Sequence, residues 1–185
     1  MGEQKVCGWQ CKQVTEVYQN PWIRVTHEDV VTPAGSDGIY GVVHFKNRAV
    51  GVVPIDDEGF TWLVRQSRYV LGSYTWEIPE GGAAQEESPL EAGKRELAEE
   101  TGLRAVQWRE LLRMHLSNSV TDETAVVYTA RGLTQGPCCH EDSEDIEVTR
   151  LPLSEAVEMV LDGRISDAIS VAALLKVALL EKRGR

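Results

Sequence analysis

An α/β fold is expected for this chain on three features of its sequence. Residues 14–76 read as short strands in meander order, with β-branched and aromatic residues interrupted by turn signals. A helix of about 12 residues follows, with both of its ends specified. Two further strands and two closing helices complete the alternation.

The turn signals of the strand-rich part are Asn20-Pro21, the run from Pro33 to Gly38, Lys46-Asn47 and the run from Asp56 to Gly59. Ser88 then offers an N-cap, Pro89 stands at the first helical position, Glu91 is the third, and Gly102 follows the last turn. Strands are expected in 110–116 and 124–130, joined by the polar segment 117–123, and an acidic loop is expected from Gly132 to about Asp145. Ser154 is expected to cap a helix with Val157, Val160 and Leu161 on one face and a stop at Gly163, and Ser166 to start a last helix through Leu180. No internal repeat and no domain-separating linker is present.

The chain has 185 residues, 42% hydrophobic and 26% charged. A chain of this length buries roughly 70% of the surface it exposes when unfolded, enough for a core without disulfides or structural metal. Disordered and fibrous classes are excluded. Lys+Arg 19 against Asp+Glu 29 gives a formal charge of -10, which repels nucleic-acid backbones and anionic lipid. An anionic substrate would therefore need cations between it and the protein. The N-terminal stretch has no apolar signal core, and the apolar run 168–180 is too short to span a bilayer, so a cytoplasmic protein is expected. Cys7, Cys11, Cys138 and Cys139, the last beside His140, do not have zinc-site spacing and read as free thiols.

The chemistry lies in the helix after Ser88. At 100° per residue Glu96, Glu99 and Glu100 share one sector, while Leu90, Gly93, Leu97 and Thr101 lie on another side. Glutamates three and four apart repel by about 0.2–0.5 kcal/mol per pair. All three sit in the second half of the helix, where the macrodipole disfavours anions. A charge run on a helix is ordinarily a solvated face. The flanking residues argue otherwise: from Gly81 to Leu103 the sequence is G-x5-E-x7-R-E-L-x-E-E-x-G-L. That pattern matches every fixed position of the Nudix box. At average residue usage a chance match in a chain of this size is rarer than about one in a million, and about one in 100,000 at this glutamate content.

The chain thus resembles the Nudix hydrolases. Residues 77–82 (Glu-Ile-Pro-Glu-Gly-Gly) resemble the strand and loop that lead into the family's helix, and residues 65–69 resemble the strand before them. The resemblance implies an α/β/α sandwich on a mixed sheet, preceded by a strand-rich N-terminal extension, with residues 1–45 as a dimerising extension and 46–185 as the hydrolase domain. It implies metal-dependent hydrolysis of a nucleoside diphosphate linked to another group. Hard oxygen ligands on a rigid helix suit Mg²⁺ or Mn²⁺, which keep several waters and bridge to substrate phosphates.

By resemblance, Glu96 and Glu100 ligate the metal, Glu99 does so directly or through water and shares in catalysis, and the backbone carbonyl of Glu80 completes the set. Gly81, Glu87, Arg95 and Gly102 are structural in the motif, with Glu87 and Arg95 forming a salt bridge between loop and helix. In the sugar-nucleotide branch the base for the attacking water is a carboxylate on a late loop. Glu141, Asp142, Glu144 and Asp145 all qualify, and Glu144 is chosen. Arg68 stands where that branch places an arginine on the diphosphate. Glu123 is positioned to bind a sugar hydroxyl, and Trp22 and Tyr18 to stack on a base across a homodimer, although an aromatic residue in a strand is more often core.

The ADP-ribose hydrolases typically carry a proline in the loop after the box. This chain has none between Pro89 and Pro137, which points to a wider preference among ADP-ribose and nucleoside diphosphate sugars. Two alternatives stay open: hydrolysis of dinucleotides or nucleoside triphosphates, and a non-catalytic Nudix domain that senses ADP-ribose. The partners expected are a small nucleotide and a second copy of the chain, with neither nucleic acid nor membrane.

Overall fold

The computed structural model describes residues 5–136 and 145–184. The chain divides into two compact units, residues 1–47 with 115–124, and residues 48–114 with 125–185.

The first unit contains a four-stranded antiparallel meander: β1 (Lys5–Val6), β2 (Trp9–Gln19), β3 (Ile23–Val31) and β4 (Asp37–Phe45), in that order across the sheet. Asn20 makes the β2–β3 turn by accepting the backbone N–H groups of Trp22 and Ile23 on its side-chain oxygen (2.9 and 2.8 Å). The polar segment 117–123 is tied to β4 through Asp122, which accepts from Phe45 N (3.0 Å) and lies 2.6 Å from His44 Nδ1.

The second unit opens with β5 (Arg48–Pro54), and here the meander order stops. β5 leaves its chain neighbours to pair antiparallel with β8 (Glu80–Ala83) and parallel with β10 (Thr124–Gln135), with β9 (Leu103–His115) beyond β10, so the sheet is mixed. A second sheet orders β11 (Glu147–Pro152), β6 (Phe60–Arg68) and β7 (Ser73–Glu77), all antiparallel. Strand β5 is apolar on both sides because both sides are covered. Val50 and Val52 pack with Ala92 and Leu97 of α1 (Pro89–Thr101), whereas a side chain at Gly51 would meet Ile169 of α3 (Ala168–Lys182). Helix α1 approaches closely because residue 93 is glycine: a Cβ there would lie 3.2 Å from Val50 and 3.3 Å from Val52. Helix α2 (Leu153–Leu161) packs beside α3, and the result is an α/β/α sandwich.

Several expected boundaries move. Ser88 caps α1, accepting Glu91 N on its hydroxyl (3.2 Å), and Gly102 closes it at φ 72° with its N–H on Ala98 O. Helix α2, however, begins at Leu153 with no side-chain cap, so Ser154 falls inside the first turn. It buries Ala156 and Met159, and Leu161 is exposed. Asp167, not Ser166, caps α3, accepting Ser170 N at 2.7 Å. Strand β9 starts at Leu103, seven residues early: Leu103 joins the core with Ala105 and Trp108 packed against it, while the polar Arg104, Gln107 and Arg109 are exposed. Strand β10 runs past Gly132 to Gln135, since Leu133 finds a place against Val52, Leu97 and Leu103. The segment expected as an acidic loop from Gly132 is therefore still strand at its start, and β11 lies between its far end and α2.

Candidate active site

Strand β8 and the second half of α1 bring the box residues together. Strand β8 is held on β5, with Val50 opposite Gly81 and Gly51 opposite Glu80, and Val52 N donates to Pro79 O (2.8 Å) just before it. On the other side Ile78 N donates to the hydroxyl of Ser170, a residue of α3 with no exposed surface, at 2.9 Å. The 77–82 segment is thus anchored to both the sheet and α3 before any charged side chain is considered.

The acidic sector of α1 does not face solvent. Glu100 is 3% exposed, and its Oε2 accepts the backbone N–H of Glu80 (3.0 Å). The Glu96 side chain is 13% exposed and lies over Gly81, where any Cβ would fall well inside contact with the Glu96 carboxylate. Glycine is required there by close approach rather than by backbone angle. Glu99, at the edge of the sector, is about a third exposed.

Arg95 organises this cluster. Its Nε and Nη2 engage Glu87 (3.2 and 3.0 Å), Nη2 also donates to Gly82 O (3.0 Å), and Nη1 donates to Glu96 Oε1 (2.8 Å) and Glu99 Oε2 (2.9 Å). The Glu87 pairing spans the loop and the helix, and the same guanidinium reaches two of the glutamates as well. Its hydrogen bonds, above all, hold the Glu87 carboxyl below the usual range. Because Glu87 ionises more readily folded than unfolded, the stabilisation is present above the unfolded pKa of about 4.3 and is lost as pH falls through the lower folded value. Glu87→Gln is expected to cost about 1 kcal/mol near neutral pH, since the pair is half-exposed and Arg95 keeps three other acceptors. That corresponds to about 2–4 °C in Tm. The gap between wild type and variant should close below about pH 4 in thermal melts, and equal midpoints at pH 7 would remove the structural role.

Arg68 is drawn into the same acidic region. Nε donates to Glu77 Oε1 (2.9 Å), and Nη2 donates to Glu77 Oε2 and, at 3.0 Å, to Glu80 Oε1. The other Glu80 oxygen, Oε2, is buried with no hydrogen-bond partner among the described residues. Burial, followed by the negative charges of Asp167 and Glu77, pushes the Glu80 carboxyl well above its ordinary value. Glu96 is raised too, chiefly by burial. Glu77, Glu80, Glu87, Glu96, Glu99, Glu100 and Asp167 thus share a region with two guanidiniums, Arg68 and Arg95.

This excess of buried carboxylate, with one oxygen orphaned, fits a hard divalent cation. Among the described residues no three ligating side chains already converge as a closed cage. Mg²⁺ does not need one, because it takes one or two carboxylates and fills its octahedron with water and substrate phosphate.

Other expected site residues fall elsewhere. Glu144 lies outside the described residues, as do Glu141 and Asp142. Asp145 is exposed and accepts the Tyr74 hydroxyl (2.9 Å). Tyr18, Trp22 and Glu123 belong to the first compact unit. Trp22 and Tyr18 are 67% and 55% exposed, so neither is a core aromatic. The Glu123 carboxyl is pushed up by burial and by Asp122. Sequence reasoning missed Glu77, Asp167 and Ser170. For Glu77 a signal existed, a lone charge between Trp76 and Ile78 in an otherwise apolar strand end.

A glutamate-bearing helix packed against a Gly-Gly strand on a mixed sheet, with arginines interleaved among carboxylates, is an arrangement suited to cation-assisted phosphate chemistry. Similarity to known proteins gives this class its family. Residues 45–174 match the NUDIX domain, and residues 9–43 match the nucleoside diphosphate sugar hydrolase N-terminal domain. The chain belongs to the Nudix family. It is 37% identical over 140 residues to an ADP-ribose pyrophosphatase of Mycobacterium tuberculosis, covering 74% of this chain and 66% of that protein. It is 30% identical over 168 residues to an ADP-ribose pyrophosphatase of Bacillus subtilis, covering 90% of each. Its fold matches the crystal structure of an ADP compounds hydrolase with a TM-score of 0.86 at 24% identity, over 98% of this chain and 99% of the other.

Proposed function

We propose that this protein is a Mg²⁺- or Mn²⁺-dependent pyrophosphohydrolase that cleaves the diphosphate of ADP-ribose and nucleoside diphosphate sugars to a nucleoside monophosphate and a sugar phosphate. The observation that carries the reading is the inward turn of Glu96 over Gly81 and of Glu100 onto the Glu80 N–H, beside a buried carboxylate oxygen that nothing partners among the described residues. The similarity to two ADP-ribose pyrophosphatases and the match to the nucleoside diphosphate sugar hydrolase N-terminal domain support the substrate class.

Glu96 and Glu100, with Glu99 and the Glu80 carbonyl, would hold the metal. When bound it supplies Lewis-acid charge neutralisation at the diphosphate and lowers the pKa of attacking water. Arg68 binds the diphosphate, and Arg95 with Glu87 fixes β8 and the loop after it against α1. Glu144 serves as the base that accepts the proton of the attacking water. Trp22 and Tyr18 stack on the base, and Glu123 accepts from a sugar hydroxyl. Residues 1–45 form the dimerising extension of a cytoplasmic homodimer, and 46–185 the hydrolase domain. No helix among the described residues is long and apolar enough to cross a membrane.

A substrate panel with chromatographic identification of products tests the reading. ADP-ribose and ADP- or GDP-sugars should be cleaved to the monophosphate, triphosphates should be poor, and EDTA should abolish turnover until Mg²⁺ or Mn²⁺ is restored. Full turnover in chelator would overturn the mechanism, and a preference for dinucleoside polyphosphates or triphosphates would overturn the substrate class. Removal of residues 1–45 should cost both dimerisation, read by sedimentation, and activity; a truncated chain that remains a fully active dimer would refute that assignment.

A further inference from the structure

We propose that Glu77 is a positioning residue for substrate binding, holding the Arg68 guanidinium so that its Nη1 edge is presented to the substrate diphosphate. The inference rests on the function proposed above and assigns a role to a residue outside the Nudix box.

The register of β6 and β7 builds the cradle. Val64 stands opposite Glu77, Gln66 opposite Thr75 and Arg68 opposite Ser73, so Gln66, Arg68, Thr75 and Glu77 share one face of the strand pair. On that face Glu77 is 2% exposed and accepts four hydrogen bonds. Thr75 Oγ1 and Arg68 Nε donate to Oε1 at 2.6 and 2.9 Å, while Gln66 Nε2, at 3.3 Å, and Arg68 Nη2 donate to Oε2. Thr75 and Gln66 thus orient the carboxylate, and the carboxylate grips the Nε–Nη2 edge of the guanidinium in the bidentate geometry that leaves it no freedom to rotate.

Nη1 has no protein acceptor among the described residues, although Arg68 is itself only 39% exposed. The second carboxylate on Arg68, that of Glu80, accepts a single bond from Nη2, on the edge that Glu77 already holds, and so leaves Nη1 free of it. A buried ion pair is a poor device for stability, because apolar residues of the same volume do as well or better. A four-donor cradle around one buried carboxylate is accounted for by what it aims. Preorganising an arginine before substrate arrives removes the ordering cost from binding.

The test is a double-mutant cycle on Glu77→Gln and Arg68→Gln, read both as kcat and KM for ADP-ribose and as the calorimetric Kd of its α,β-methylene analogue, which cannot be cleaved. Either single variant should raise KM and Kd by about tenfold, the scale of one charge-assisted hydrogen bond, with kcat within about threefold of wild type. The double variant should be no worse than Arg68→Gln alone, because nothing is left to aim. A full further tenfold loss in the double variant, or wild-type KM and Kd in Glu77→Gln, overturns the assignment. A purely structural role would lower Tm equally in both backgrounds and leave KM unmoved. If Glu77→Gln is unfolded by circular dichroism, Thr75→Val replaces it, removing one donor that orients Glu77 without touching Arg68; a raised KM supports the proposal and an unchanged one overturns it. A wild type that neither cleaves ADP-ribose nor binds the analogue overturns the functional reading itself, whereas normal turnover with additive variants overturns only the role of Glu77.

Discussion

Glu100→Gln is expected to lower kcat by on the order of 10² or more while the protein stays folded. The glutamate is 3% exposed and its Oε2 accepts the backbone N–H of Glu80, a bond that the amide oxygen of glutamine can keep. What the substitution removes is charge. In the folded protein that charge sits four residues from Glu96 on the same helix, in the half where the helix dipole disfavours it, so its loss relieves about 0.2–0.5 kcal/mol of repulsion. In the proposed reaction it would be one of the carboxylates that hold the cation. The two effects have opposite signs, which makes the variant informative: Tm should be equal to or above that of wild type while turnover collapses. An unchanged kcat with saturating Mg²⁺ would leave the acidic sector without a chemical role.

That opposition also explains why this part of the site was legible in the sequence. Three glutamates at positions that repel one another, on a helix whose Ser88 and Gly102 caps leave no doubt about its phase, are costly unless something cationic meets them. Spacing put the three on one sector, and the flanking pattern from Gly81 to Leu103 argued against a solvated face. The pairing of β5 with β10 was not visible in the same way, because a parallel ladder joins residues 49–54 to residues 125–130 and no local pattern encodes that separation. Strand β11 has two charged residues in six and no clean alternation, so only its antiparallel ladder with β6 defines it. Glu77 escaped for a related reason. Its meaning depends on register, since only the offset of β6 and β7 puts Gln66, Thr75 and Arg68 around it. Helix α3 shows a milder case, in which Ser166 and Asp167 are both competent caps and only the geometry of the preceding turn selects Asp167.

Gly81→Ala is expected to separate activity from stability more sharply still. Gly81 lies opposite Val50 on β5, and Val50 is fully buried against Ala92 of α1, so the strand cannot retreat from the helix. The new Cβ would fall inside contact with the Glu96 carboxylate carbon and both of its oxygens. The atoms in conflict are thus the far end of a flexible side chain rather than backbone, and the carboxylate is what gives way. The stability cost should therefore fall below about 1 kcal/mol, under the range of about 1–3 kcal/mol usual for overpacking a rigid core. Turnover should fall by on the order of 10², because a displacement of about 1 Å in a reacting group is enough to cost that much. Displacement also breaks the Glu96 contact with Arg95, which keeps Glu87, Glu99 and Gly82 as acceptors and so holds the loop in place. If the loss comes through Glu96, Gly81→Ala in a Glu96→Gln background should reduce kcat no further. Near-wild-type kcat in the single variant, or a fall in Tm of more than about 10 °C, would show that the glycine serves the backbone and not the carboxylate above it.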